Sequence, residues 1–232
     1  MAGCLYSVGV GPGDPELMTL KAVRCIRKCP VIIIPTADKN SCMAYRIVRQ
    51  EIPEIEEKEC ISAVMPMTKD KEILRKSHEA AAQTVAAILA KGKDAAFLTI
   101  GDPTVYATPM YIHKRIAKQG FETRIISGVP SFCAAAGKME TALAEGREKI
   151  HIIPASYDIE PALELPGTKI LMKAGNKMPR VRDILKRRDD QVLMIENCGM
   201  KDEKIWTDVA GMPDCPGYYT LIIVKDKEGG KQ

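Results

Sequence analysis

A two-lobed α/β chain is predicted by three features of the sequence. Short apolar, β-rich runs alternate with longer helical patterns along its whole length. Turns bearing glycine and proline follow several of the runs. The 232 residues, 46% of them hydrophobic, suffice for two modest cores of about 100 residues each.

In chain order, CLYSVGV at 4–10 is the first strand candidate, broken by Gly9, Gly11, Pro12 and Gly13. A helix is expected from Pro15 to Cys29, with Asp14 as its cap, Pro15 in the first turn and Glu16 at its positive end. VIIIP at 31–35 reads as a strand and SCMAYRIVRQEI at 41–52 as a helix. The clearest helix runs from Asp70 to Lys91, with Leu74, Val85, Ile88 and Leu89 on one side and Gly92 as its stop. DAAFLTI, YIHKRIAKQG and TRIISG continue the rhythm of a parallel sheet.

The first lobe is placed at 1–128 and the second at 129–232, because a strand ends at Ser127-Gly128 and Pro130 opposes regular continuation. SFCAAAGKMETAL, KIHIIPAS, DIEPALEL, GTKILMKAG, MPRVRDILKRR, QVLMIEN and YYTLIIVK build that second α/β lobe. KDKEGGKQ, at 225–232, reads as a frayed, solvated tail.

Net charge is +4, with basic and acidic side chains interspersed, which suits a small polyanionic substrate better than a duplex. Aromatic residues are only 5% and do not alternate with basic ones, so nucleic acid is disfavoured. No apolar run approaches the ~20 residues of a membrane span, and MAGCLYSVGVG has no signal-peptide pattern. A cytoplasmic location is therefore expected. The eight cysteines form no CxxC pair; Cys25 and Cys29 can share a helix face, but without a second ligand pair they read as reduced thiols, and no metal site is expected.

Three turns carry the chemistry. Gly9, Gly11 and Gly13 are spaced G-x-G-x-G rather than as the dinucleotide fingerprint, and Pro12 withdraws an amide donor from any phosphate cradle. An acidic helix entrance at Asp14 and Glu16 would repel phosphate further. Against this stand a purely structural turn and a dinucleotide reading in which Asp38, past VIIIP, holds a ribose. After DAAFLTI, Gly101 lets a ligand approach the backbone and Asp102 can accept from a ligand ammonium or hydroxyl; an ordinary Asp-Pro turn is the alternative. IISGVPSFCAAAG repeats the arrangement with small residues that leave room for a flat group or serve close helix packing.

Together VGVGPGDPELMTLKA, GDPTVYA and IISGVPSFCAAAG resemble the motifs of the tetrapyrrole methylase family, over nearly the whole chain. SCMAYRIV, MPMTKD, ILMKAGNK and IENCGMKDEKI resemble the branch acting on precorrin-2 or its cobalt chelate at C20. The resemblance implies the two-lobed class III methyltransferase fold, S-adenosylmethionine in the inter-lobe cleft, a polycarboxylate tetrapyrrole substrate and a homodimer. It implies that Pro12, Gly101, Asp102, Val105, Pro130 and Ser131 line the cofactor, with Lys173 and Cys198 at its adenine end. Pro130 stands where several relatives carry threonine. The acid and lysine proposed as catalytic in the uroporphyrinogen III branch have no counterpart, so no catalytic base is named. Tyr106 and Met110 are candidates for the face of the macrocycle, and Lys39, Arg46 and Lys69 for its carboxylates. A binding module without chemistry is the rival reading.

Overall fold

The computed structural model describes residues 1–66, 68 and 70–227. The chain divides into two compact units, Met1–Pro130 and Ser131–Gln232.

The first unit is a five-stranded parallel sheet of β1 (Leu5–Gly9), β2 (Val31–Ile34), β3 (Glu59–Ser62), β4 (Ala95–Thr99) and β5 (Thr123–Ile126), in the order β3-β2-β4-β1-β5. Side chains of a strand alternate between faces. Leu5, Val31, Ile33 and Phe97 pack against α3 (Lys71–Ala90) and α4 (Pro109–Lys118); Val8, Ile32, Ile34 and Leu98 pack against α1 (Leu20–Lys28) and α2 (Met43–Glu51). Burial on both faces is why VIII and AAFL read as unbroken apolar runs. Each large side chain so buried contributes about 1.5–3 kcal/mol.

The helix expected from Pro15 to Cys29 is two elements. Asp14 accepts from the Glu16 amide at 2.9 Å and caps only a 3₁₀ turn, Pro15–Leu17. Met18 is extended (φ −70°, ψ 134°), and Thr19, accepting from the Ala22 amide at 3.2 Å, caps α1. The first turn of α1 contains no acidic residue, so the acidic entrance inferred from the sequence is not a helix N-terminus. The Asp70 cap and Gly92 stop of α3 stand where the sequence puts them; Asp70 accepts from Glu72 and Ile73, and Gly92 has φ 77°.

The second unit contains α5 (Ser131–Lys138), β6 (Ile150–Pro154), α6 (Glu160–Leu163), β7 (Thr168–Met172), α7 (Met178–Leu185), β8 (Gln191–Glu196), β9 (Lys204–Trp206) and β10 (Thr220–Lys225). Its sheet is mixed, in the order β6-β7-β10-β8-β9, with β10 antiparallel to both β7 and β8. The run from β8 to β10 holds no helix to make a parallel crossover, so the parallel rhythm stops there. Ala135 and Ala136 of α5 are buried against Ile170, Leu193 and Ile223, so these small residues serve helix packing rather than room for a flat group. Among the described residues no helix is long and apolar enough to cross a membrane.

Lys169, on β7, is fully buried and pairs with Asp226, which also accepts from the Gly167 amide at 2.8 Å. The segment read as a frayed tail therefore begins with structure: Lys225 closes β10 and Asp226 neutralises a buried ammonium, while 228–232 lie outside the described residues.

Asp226→Ala strands a buried charge and is expected to cost about 3–5 kcal/mol in urea unfolding. Burial raises the Asp226 carboxyl, but Lys169 and the Gly167 amide outweigh it and hold its pKa below the ordinary carboxylate value. A carboxyl lowered in the native state stabilises above its unfolded pKa and loses that contribution as pH falls through its native one. Acidification below about pH 4 should therefore narrow the stability gap between the native chain and the variant.

Candidate functional site

In the order β3-β2-β4-β1-β5 the strands β4, β1 and β5 are neighbours and parallel, so their carboxyl ends meet on one edge, where ligands of open α/β sheets bind. The three turns singled out in the sequence are the continuations of these three strands. The Gly101 amide donates to the Gly11 carbonyl at 2.8 Å, bridging the first two turns. A Cβ on Gly9 would stand 2.5 Å from the Gly101 oxygen and 2.7 Å from the Gly128 nitrogen; one on Gly128 would stand 2.2 Å from the Gly101 oxygen. Only backbone fits there, and that explains glycine at both positions.

Asp102 fastens the third turn to the second. It is 8% exposed; one carboxylate oxygen accepts from the Gly128 amide at 3.0 Å, and the other accepts from the Thr104 amide at 2.8 Å and the Thr104 hydroxyl. Its oxygens thus hold the strand ends together, with remaining lone pairs available to a ligand cation. Each turn also carries a proline, Pro12, Pro103 and Pro130, and each proline deletes an amide donor. The Gly101 and Gly128 amides are consumed internally. With these five amides missing or used and the Asp102 carboxylate present, the edge opposes a phosphate and suits a cation.

Pro12 is buried, and Val105, Pro130 and Ser131 are half-buried. Tyr106 is 47% exposed and holds a left-handed backbone, φ 47°, uncommon for an aromatic residue, while Met110 is half-buried in α4. In the second unit β7 and β8 run parallel to each other on either side of β10, and each ends in a left-handed non-glycine residue, Lys173 (φ 61°) and Asn197 (φ 55°). Lys173 and the buried Cys198 therefore belong to one sheet edge, near the start of β10, where the Asn197 amide donates to the Tyr219 carbonyl at 2.9 Å. Partial burial of its ammonium lowers the pKa of Lys173.

Sequence reasoning missed Pro103 as the third member of the proline set, Gly9 and Gly128 as contact points and Asn197 as a backbone outlier. The repeat of glycine or proline after each strand was the available signal for the first two.

Lys39 lies 5.7 Å from the Tyr45 ring centroid, Arg46 is exposed on α2, and Lys69 lies outside the described residues. The three histidines are committed within the fold: His113 Nδ1 lies 2.9 Å from the Ser7 hydroxyl, His78 stacks on Tyr111 and His151 Nε2 lies 3.0 Å from the Pro166 carbonyl. The dinucleotide alternative fails on topology. A ribose-binding acid follows a strand beside β1, whereas here β4 separates β1 from β2. Asp38 instead accepts from the amides of Asn40 and Ser41, each at 3.1 Å.

Solved structures share this fold. A cobalt precorrin-4 methyltransferase superposes with a TM-score of 0.74 at 19% identity, covering 96% of this chain and 94% of that one. A uroporphyrin-III C-methyltransferase from Thermus thermophilus, solved with S-adenosylhomocysteine, gives 0.71 at 20% identity, covering 96% and 97%. The fold is thus that of the class III, two-unit α/β methyltransferases. The family model of the tetrapyrrole (corrin/porphyrin) methylases matches residues 4–213, and the chain belongs to that family. It is 34% identical, over 226 residues and 95% of each chain, to a Methanocaldococcus jannaschii protein named "Probable cobalt-precorrin-2 C(20)-methyltransferase".

Asp102→Ala should orphan the buried Gly128 amide and cost about 1–3 kcal/mol, read as a lower urea midpoint, with Asp102→Asn costing less because it keeps an acceptor oxygen. Gly128→Ala should lower the midpoint too, since its Cβ forces the strand ends apart; unchanged midpoints would contradict the clamp.

Proposed function

We propose that this chain transfers the methyl group of S-adenosylmethionine to a carbon of a reduced tetrapyrrole, namely precorrin-2 or its cobalt chelate at C20. The observation that carries the reading is the strand-end edge of the first unit, where three prolines and two internally used amides thin out the donors around one carboxylate, that of Asp102. Such an edge suits a ligand that is cationic at sulfur and nitrogen and has no phosphate. Support also comes from the name of the Methanocaldococcus jannaschii relative and from the S-adenosylhomocysteine bound to the Thermus thermophilus enzyme of the same fold.

S-adenosylmethionine supplies an electrophilic methyl carbon on a sulfonium. In this proposal Pro12, Gly101, Asp102, Val105, Pro130 and Ser131 are its neighbours, with Asp102 facing the positive portion and Gly101 allowing close approach to the backbone. Lys173 and Cys198 are assigned the adenine end, through backbone atoms that the left-handed residues Lys173 and Asn197 re-aim. Tyr106 and Met110 are assigned to the macrocycle. The chain contributes by holding acceptor carbon and methyl in line; positioning of that kind can supply about 7–11 kcal/mol. Asp102 is committed to Gly128 and Thr104, so it is not assigned as a base. An electron-rich reduced tetrapyrrole needs little activation, and the proton lost after transfer can leave to solvent.

The cobalt ion, where present, belongs to the substrate. The same reading carries a cytoplasmic homodimer with no nucleic-acid partner; sedimentation at about twice 25.5 kDa would agree with the dimer, and a monomer would refute it.

In a thermal-shift panel S-adenosylhomocysteine should stabilise the chain and NAD and ATP should not, by about 2.7 kcal/mol at 100 times the dissociation constant. Tritium from labelled S-adenosylmethionine should then appear in cobalt-precorrin-2 or precorrin-2; tight binding without transfer to either would defeat the proposal.

A further inference from the structure

Packing at the strand ends demands glycine at 128, where a Cβ would stand 2.2 Å from the Gly101 oxygen. Glycine also meets few steric barriers in φ and ψ, so the peptide group before it is easy to turn. The planar, trans peptide joining Ser127 to Gly128 presents its carbonyl and its amide in opposite directions. Each end has a partner on a different element. The Gly128 amide donates to Asp102 at 3.0 Å, and the Ser127 carbonyl accepts from the Thr19 hydroxyl at 3.2 Å. Thr19 is 108 positions away in the sequence and caps α1, its hydroxyl oxygen accepting from the Ala22 amide at 3.2 Å.

We propose that Thr19 is a positioning residue for the methyl donor, holding the Ser127–Gly128 peptide by its carbonyl while Asp102 holds it by its amide. A hydroxyl has one proton to give and lone pairs to receive. The cap of α1 uses a lone pair, so the proton is left for Ser127. The role rests on the seat for S-adenosylmethionine proposed above, in which Pro130 and Ser131, close behind Gly128 in the chain, are neighbours of the ligand.

A turned peptide would aim the Ser127 carbonyl at the Asp102 carboxylate, acceptor against acceptor, and carry the Gly128 amide out of the clamp. It would also add a donor to an edge whose scarcity of donors disfavours phosphate, and shift Pro130 and Ser131. Asp102 pins only the amide end of the peptide. Ser127 is exposed, so water competes for its carbonyl, and Thr19 supplies the anchor that is itself fixed to the start of α1.

Three substitutions in the intact chain separate this role from capping. Thr19→Asp keeps an acceptor for Ala22, and aspartate caps at least as well as threonine, but it has no proton for Ser127. Thr19→Ser keeps both bonds and Thr19→Val neither. The readouts are the urea midpoint, hydrogen exchange of the Gly128 amide relative to the Gly101 amide, and the dissociation constant of S-adenosylmethionine. Thr19→Asp should hold the midpoint, yet speed relative Gly128 exchange and weaken binding, each by about three- to tenfold. Thr19→Ser should match the native chain in all three, and Thr19→Val should lower the midpoint as well. Relative exchange or binding left unmoved by Thr19→Asp would overturn the role of Thr19 while the methyl-donor seat stands. A native chain that does not bind S-adenosylmethionine would overturn the seat itself, and this role with it.

Discussion

At the carboxyl edge of the first sheet, the backbones of three neighbouring strand ends touch with no side chain between them. The 2.2 Å and 2.5 Å that separate hypothetical Cβ atoms on Gly128 and Gly9 from the Gly101 oxygen leave no alternative residue there. Because β4, β1 and β5 must end together for this contact to form, strand order, the glycines after each strand and the Asp102 clamp are one feature. Asp102 supplies the fastening: a carboxylate with little exposure, bonded to Gly128 across the sheet and to Thr104 in its own turn.

The chemistry of the edge follows from what that packing consumes. The Gly101 and Gly128 amides are spent on the contact and none exists at Pro12, Pro103 and Pro130, whereas the Asp102 carboxylate remains. Nucleotide-binding sheets of related strand order place amides and a helix N-terminus at this position. Here the helix that would supply them begins only at Leu20, after a 3₁₀ turn and an extended Met18. The fold has the layout of a phosphate site with fewer donors, and favours a cation by subtraction.

Much of this was legible in the sequence because it is carried by local, strongly marked residues. Strands buried on both faces give unbroken runs such as VIII, and the Asp70 cap and Gly92 stop bound α3 unambiguously. The turn motifs were visible as glycines and prolines after apolar runs. What escaped reading depends on long-range partners. The Gly128 amide reaches Asp102 across 26 positions, and Asp226 reaches Lys169 across 57, so neither the clamp nor the ordered start of the tail leaves a local trace. The break in the first helix escaped for another reason: Asp14-Pro15-Glu16 is a sound N-terminal pattern, and Thr19 five residues on is an equally sound one. The left-handed backbones of Tyr106, Lys173 and Asn197 are set by how strands end against their neighbours, and side-chain identity gives little notice of them.

The account stands on the seat at the strand ends being made for a cationic sulfur compound. A crystal structure of the chain with S-adenosylmethionine, whose sulfur is a sulfonium, tests it most directly. The amino-acid portion and sulfur of the ligand should lie against Gly101–Val105 and Pro12, with the Asp102 clamp to Gly128 intact. Density for the ligand elsewhere, or a nucleotide pyrophosphate bound at Gly11 and Gly13 in a parallel soak, would contradict it.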